Sequence, residues 1–287
     1  MEKRAMIMMA WRGMAFGVTI AVASLTGGVA QAAGHGDDID ALSAALLLPE
    51  MVDVMQEEGR SFGTQIGADM LGDRAGARWE KLVAGIYDAD WMYARVIDTL
   101  SAELSADEAQ AITAFFTTEP GLTIVGLELS ARRAMLDEAI DEMAIEAAAL
   151  AAADETPRFK QLESYVEAND LVEQNVVGAL NSNYAFFIGL LNGGAFAGGM
   201  SEDQILQDVW AQEPEIRDST EEWIYSFLNL AYQPLSDAEL ETYIAFSETE
   251  TGRAFNAALF AAFDPLFEEI SMRLGYGAAQ MMQSSDL

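Results

Sequence analysis

LSADEAQAITAFFTTEPGLTI, residues 104–124, and LSDAELETYIAFSETETGRAF, residues 235–255, decide how this chain is read. At a constant offset of 131, eight of the 21 positions are identical: Leu104/Leu235, Ser105/Ser236, Glu108/Glu239, Ala114/Ala245, Phe115/Phe246, Thr118/Thr249, Glu119/Glu250 and Gly121/Gly252. Average composition would give about one or two matches in such a window. The aromatic residues upstream agree. Trp79 matches Trp210 at the same offset, and Asp90-Trp91-Met92-Tyr93 matches Glu222-Trp223-Ile224-Tyr225 at an offset of 132. Further upstream, Ile66-Gly67 aligns with Ile188-Gly189 at 122. The chain contains a copy of itself.

The repeated stretch is helix punctuation. Ser105-x-x-Glu108 and Ser236-x-x-Glu239 are capping boxes, in which the serine oxygen accepts from an N3 amide and the glutamate reaches back. Leu235 with Leu240, and more weakly Leu104 with Ala109, form hydrophobic staples. Thr118 and Thr249 are placed to cap the next helix, and Gly121 and Gly252 to let two helices approach closely. Beyond the glycine, Leu122, Val125, Leu129, Leu136, Ile140, Met143 and Leu150 recur at spacings of three, four and seven. They predict one long helix with a single apolar stripe, leaving Glu128, Asp137, Glu138, Asp141, Glu142 and Glu146 on the remaining surface. In the second copy the stripe is Phe255, Leu259, Phe263, Leu266 and Ile270, and Pro265 is expected to kink or break its helix. No period-two run argues for strands. The fold class is therefore all-α: two tandem helical units of about 110–130 residues, packed as a helical bundle or array. The expected boundaries are a signal peptide over 1–32, a flexible leader over 33–37, units over 38–152 and 161–287, and a linker over 153–160.

The pattern LS-x-x-E, then a phenylalanine, then T-E-x-G entering an amphipathic helix resembles the DUF2059 family of exported, helical bacterial proteins of unknown function, here in two tandem copies. Leu235–Leu274 is the closer match. The family's aromatic pair stands as Phe115-Phe116 in the first copy and degrades to Phe246-Ser247 in the second. The resemblance implies an all-α exported protein and brings no established activity with it.

The N-terminus reads as a secretory signal peptide. Lys3, Arg4 and Arg12 precede an apolar stretch from Met14 to Leu25, and Ala30-Gln31-Ala32 is the small-x-small pattern before a cleavage at Ala33. An uncleaved anchor would need about 20 apolar residues, and Thr19 and Ser24 interrupt this run. The periplasm or the extracellular space is the expected location. There is no cysteine, so disulfides, thiolate metal sites and thiol catalysis are excluded. The net charge is −32; removing residues 1–32 takes away three basic residues and one acid, leaving 12 basic and 46 acidic and a charge of −34. Such a surface repels nucleic acid and anionic headgroups, and favours cationic partners.

Candidate sites are few. With His35 as the only histidine, histidine-based triads are absent, and no phosphate-binding or calcium-binding loop motif is present. No catalytic or cofactor-binding residue is assigned, and the chain reads as a non-enzyme. The sharpest motif is Ala33-Gly34-His35. In a chain beginning at Ala33, the amine, two deprotonated amides and the third-position imidazole form the square-planar four-nitrogen site that Cu(II) or Ni(II) prefers. Trp79, Trp91, Tyr93, Trp210, Trp223 and Tyr225 read as core anchors, with an aromatic ligand cage as the alternative. The charge-free stretch Val176–Met200 is long enough to suggest a membrane span. Its asparagines, glycine pairs and acidic flanks favour a buried helix over about Leu171–Leu191 followed by a Gly-rich loop. The leading reading is a binding or assembly module with a protein partner. Its alternative is a carrier of a small apolar ligand held between helices near the Gly-rich stretch, with a hydrolase a distant third.

Overall fold

The computed structural model describes residues 30–196 and 199–283, with side chains from 35 onward. The helices fall into two successions. The first is α1 (Ala30–Ala45), α2 (Leu48–Ile66), α3 (Ala77–Ile86), α4 (Ala89–Glu103), α5 (Ala106–Phe116), α6 (Gly121–Ala134) and α7 (Glu138–Ala153). The second is α8 (Pro157–Ala168), α9 (Leu171–Asn192), α10 (Glu202–Trp210), α11 (Glu213–Ala231), α12 (Asp237–Ser247) and α13 (Glu250–Gln283). A π turn at Gly67–Leu71 and a 3₁₀ turn at Gly72–Arg74 join α2 to α3. Among the described residues there is no strand, so the fold is all-α. The signal peptide expected over 1–32 lies outside the described residues, except for Ala30–Ala32, which open α1. The expected leader, residues 33–37, continues that helix.

Local chemistry repeats between the successions. A single left-handed residue stands immediately before α2 (Leu47) and before α9 (Asp170). Both capping boxes form: the Ser105 and Ser236 amides donate to Glu108 and Glu239 at 2.8 Å, and the two glutamate amides return bonds of 3.3 Å to the serine oxygens. The staple residues Leu104, Ala109, Leu235 and Leu240 are buried. A Cβ on Gly121 would collide with the Phe115 carbonyl, and one on Gly252 with the Phe246 carbonyl, so both glycines let a helix start directly against the end of the previous one. Phe115 and Phe246, the same position of each copy, stack on one another at 3.9 Å.

The successions are interlocked rather than set side by side. α13 runs along α3, α4 and α5 of the first succession, while α6 and α7 lie on α11 of the second. Each half thus lends its post-glycine helix to the Trp-Tyr helix of the other (α4 or α11). A large apolar core results, continuous from Ile39 to Met281, beside a smaller cluster of Val176, Ala179, Leu180, Ile205, Val209 and Ile216 that lies within the second succession. The tightest seam of the large core is α9 against α13, where Gly189 faces the Met272 carbonyl and Gly275 the Phe186 carbonyl with no room for a side chain.

Four expectations are corrected. The helix after Gly121 is not continuous: it stops at Ala134, and Asp137 caps α7 by accepting from the Ala139 amide at 3.0 Å. Conversely, α13 runs unbroken through Pro265. Pro265 sits on the exposed side, where a helix curves convex to solvent and tolerates a missing bond, while packing on α9 holds both sides of it. Thr118 does not cap α6; its hydroxyl donates back to Ala114 and Phe115, and Pro120 precedes the helix, whereas Thr249 does accept from the Gly252 amide at 2.9 Å. Finally, Trp79 and Trp210 are not equivalent. Trp79 is in the first turn of α3, 1 % exposed, and Trp210 ends α10, 58 % exposed. The charge-free stretch behaves as expected, as the helix α9, and no described helix is long and apolar enough to cross a membrane.

Candidate functional site

A cavity of about 60 Å³ lies where the two successions meet. α6 brings two charged residues to it, one turn apart on the same face: Glu128 and Arg132. Arg132 is wholly buried and forks onto Glu58 of α2, with Nε donating to Oε1 at 2.9 Å and Nη2 to Oε2 at 2.7 Å. Glu128 faces the second succession. The Tyr232 hydroxyl, at the end of α11, donates to its Oε1 at 2.5 Å, and the Tyr243 hydroxyl of α12 lies 3.4 Å from the same oxygen. Tyr165 of α8 packs on both rings, with centroids 5.7 and 4.9 Å away. Trp223, Phe227 and Phe255 continue the wall. Glu128 lines this cavity and keeps some water-reachable surface.

The electrostatics follow from burial. Loss of water pushes the Glu128 carboxyl up to about 7, even though the two tyrosine hydroxyls stabilise its charge. Tyr232 and Tyr243 are raised well above the ordinary phenol range by burial first and the Glu128 charge second. Tyr165 moves the same way for the same reasons. The arrangement favours a proton on Glu128; it offers no nucleophile beside a base.

Glu128 was expected on the solvated surface, and the break before α7 explains the error: the stripe of Val125 and Leu129 does not continue straight, and its neighbour Glu128 is covered by α11 and α12. The aromatic set expected as core or cage does not converge. Trp79 donates to the Gly63 carbonyl at 2.7 Å, the Tyr93 and Ser43 hydroxyls are 2.8 Å apart, and Trp91 lies under the Arg273 guanidinium at 4.8 Å. Tyr225 packs on Phe159 at 5.0 Å, and only Trp223 of the six lines the cavity. The residues that do converge break the internal repeat. At the offset of 131, Glu128 stands opposite Leu259, Tyr243 opposite Ile112 and Tyr232 opposite Ser101. Departures between the copies were thus the available signal. A third capping box, Ser201 with Gln204 at the start of α10, was also readable from S-x-x-Q and was missed.

Two other surfaces bear on ligand binding. An open groove of about 480 Å³ runs between α3, α9 and α13, with Leu82, Ile86, Met272 and Tyr276 on its walls and Lys81 and Arg273 beside them. On α7, Ala144 and Ala148 are buried against α11, while Met143 and Leu150 are 69 % and 60 % exposed. They were expected inside, in the apolar stripe, and the turn at Met135–Asp137 brings them out. At the N-terminus, Ala33, Gly34 and His35 lie in α1, and His35 Nε2 is 2.8 Å from the Ser101 carbonyl. A planar four-nitrogen chelate there, closed through His35 Nδ1, requires the first turn of α1 to unwind, while Nε2 can keep its contact. Among the described residues, no cluster of three His, Asp or Glu side chains is arranged to hold a metal ion.

Residues 90–149, from α4 to near the end of α7, match the model of a family described as an uncharacterized protein conserved in bacteria, DUF2059. The match lies in the first copy, not in Leu235–Leu274, the stretch the sequence reading favoured. It holds the intact Phe115-Phe116 pair, Glu128, Arg132 and Met143, and leaves out the three tyrosines. No curated protein and no solved structure matches the chain.

Proposed function

We propose that the chain is an exported, non-enzymatic binding module, built by duplication of one helical unit, that docks a partner helix on the outer face of α7. One observation carries this: Met143 and Leu150 stand seven residues apart on one helix, 69 % and 60 % exposed. A heptad line of large apolar residues is the seam that a second helix covers. Glu138, Glu142 and Glu146 flank it, so the matching partner is an amphipathic helix with Lys or Arg beside its own apolar seam. The non-enzymatic part of the reading is supported by the lining of the cavity between the successions, where the carboxylates are engaged by Arg132 and by phenols. The four-nitrogen metal site belongs to this proposal only for a chain that begins at Ala33.

The test is co-purification from the native host, read by native mass spectrometry, with the Met143→Glu, Leu150→Glu double variant as control. Each apolar side chain buried on docking contributes roughly 1.5–3 kcal/mol, so the variant binds about a hundredfold or more weaker. Both side chains are exposed, so its helicity and melting stay those of the parent. A partner retained by the variant overturns the reading. The groove beside Lys81 and Arg273 favours a second reading, a carrier of a small apolar ligand: about 480 Å³ is a small-molecule volume, and Gly189 and Asn192 on its edge adjoin the Gly-rich stretch. The cavity of about 60 Å³ is too small to bury such a ligand, so the carrier would have to use the groove. The same spectrum decides, because a carrier co-purifies with a small molecule and is indifferent to changes on α7.

A further inference from the structure

The buried charges at the joint between the two successions do not balance. Arg132 is the only cation lining the cavity, and its Nε and Nη2 fork onto Glu58, so one positive charge stands against two carboxylates. The titratable groups around Glu128 are Arg132 one turn along α6, with Glu58 of α2 paired to it, Tyr165 on α8, Tyr232 on α11 and Tyr243 on α12. α13 contributes only neutral residues to the lining, Gly252, Phe255, Asn256 and Leu259. The set therefore carries one net negative charge whenever Glu128 is ionised. A buried charge without a counter-charge is expensive, and two outcomes relieve it: the carboxylate takes up a proton, or a cation enters.

We propose that this cavity binds a small organic ammonium ion, paired with the Glu128 carboxylate and enclosed by Trp223, Phe227, Tyr232 and Tyr243. The walls select the kind of cation. A hard metal ion needs about six oxygen ligands, and this site offers one carboxylate and phenols already bonded to it. An alkylammonium ion gives up its water more readily than a hard metal ion, donates to a carboxylate, and is attracted by the faces of aromatic rings. The size selects further. A cavity of about 150 Å³ takes benzene, so the cavity here, of about 60 Å³, has room for a cation of about two or three non-hydrogen atoms. Access is favoured by the net charge of −32, which concentrates cations around the whole molecule.

The experiment uses the full processed chain and methylammonium chloride, with sodium chloride at equal ionic strength and tetramethylammonium chloride as controls. Methylammonium should raise the melting temperature saturably, by about 3 °C at a tenfold excess over its dissociation constant. The rise should shrink as the pH falls below 7, where Glu128 is protonated. Tetramethylammonium, too large for the space, should give no rise. Glu128→Gln keeps the size and the bond to Tyr232 and should abolish the effect. As a measurement that needs no variant, the carboxyl carbon of Glu128 in the native chain should titrate at lower pH with methylammonium than with sodium. An equal response to sodium, a rise that survives in Glu128→Gln, an unmoved Glu128 titration, or no saturable response would each overturn the assignment.

Discussion

Glu128 makes the stability of this protein depend on pH in a direction opposite to that of most acidic proteins. Its carboxyl is raised from an ordinary value near 4.5 to about 7 in the folded chain. The folded state therefore holds a proton that the unfolded state releases between those values. Stability from this group is complete below the unfolded value and is lost as the pH rises through the folded one. Asp264 on α13, raised to about 7 by burial and by the charge of Glu268, acts in the same sense. The urea midpoint should be higher at pH 5 than at pH 8, and Glu128→Gln should remove part of that slope, at most about 3 kcal/mol from a shift of this size. A midpoint that rises steadily from pH 5 to pH 8 would mean that Glu128 is solvated. Nothing in the sequence around Glu128 marked it as buried, because a glutamate on an amphipathic helix has solvent as its default surroundings. Only its replacement by Leu259 in the second copy hinted at an inward position.

At the scale of the helix, what was legible was local. The capping boxes, the staples and the length of α9 follow from residues a few positions apart, and the structure contains all of them. What was not legible depended on distant packing. Pro265 looked like a break and is not, since α9 clamps the helix on both sides of it; the span after Ala134 looked continuous and is not. Asp137 is short enough to cap, whereas its counterpart Glu268 is not placed as a cap, and that one difference separates a bent pair from a straight helix. The caps give a direct test. Ser236→Ala should cost on the order of 1 kcal/mol, while Ser236→Gly should cost a few tenths. The two denaturation curves should differ in midpoint but not in slope. Equal losses would show that the serine oxygen, 3.3 Å from the Glu239 amide, contributes nothing as a cap.

For the whole molecule, the exchange of helices matters more than the repeated motif. α6 and α7 pack on the second succession and α13 on the first, so the main core is shared between the halves, while the second succession also keeps a small cluster of its own. Calorimetry should find one unfolding transition, with calorimetric and van't Hoff enthalpies equal. Residues 33–153 and 157–287, prepared separately, should each lack a cooperative transition and should regain one when mixed. Two separate transitions, or a half that melts cooperatively alone, would show the units to be independent. The sequence made the copies visible but not the exchange, because a repeat records what each unit contains and not which unit its last helix covers.

The position of α13 has a further consequence for how the chain is made. It is synthesised after every helix it packs against, and α4 cannot bury its inner face until it arrives. Contacts this far apart in sequence form late and slowly. A nascent chain thus stays open through most of its synthesis, with its first half waiting. That is a liability for a protein folding in a crowded cytosol, where bare apolar surface aggregates. Under the exported reading proposed above, delayed closure would be an asset, because the topology would postpone the native state until the thread has passed a secretion pore.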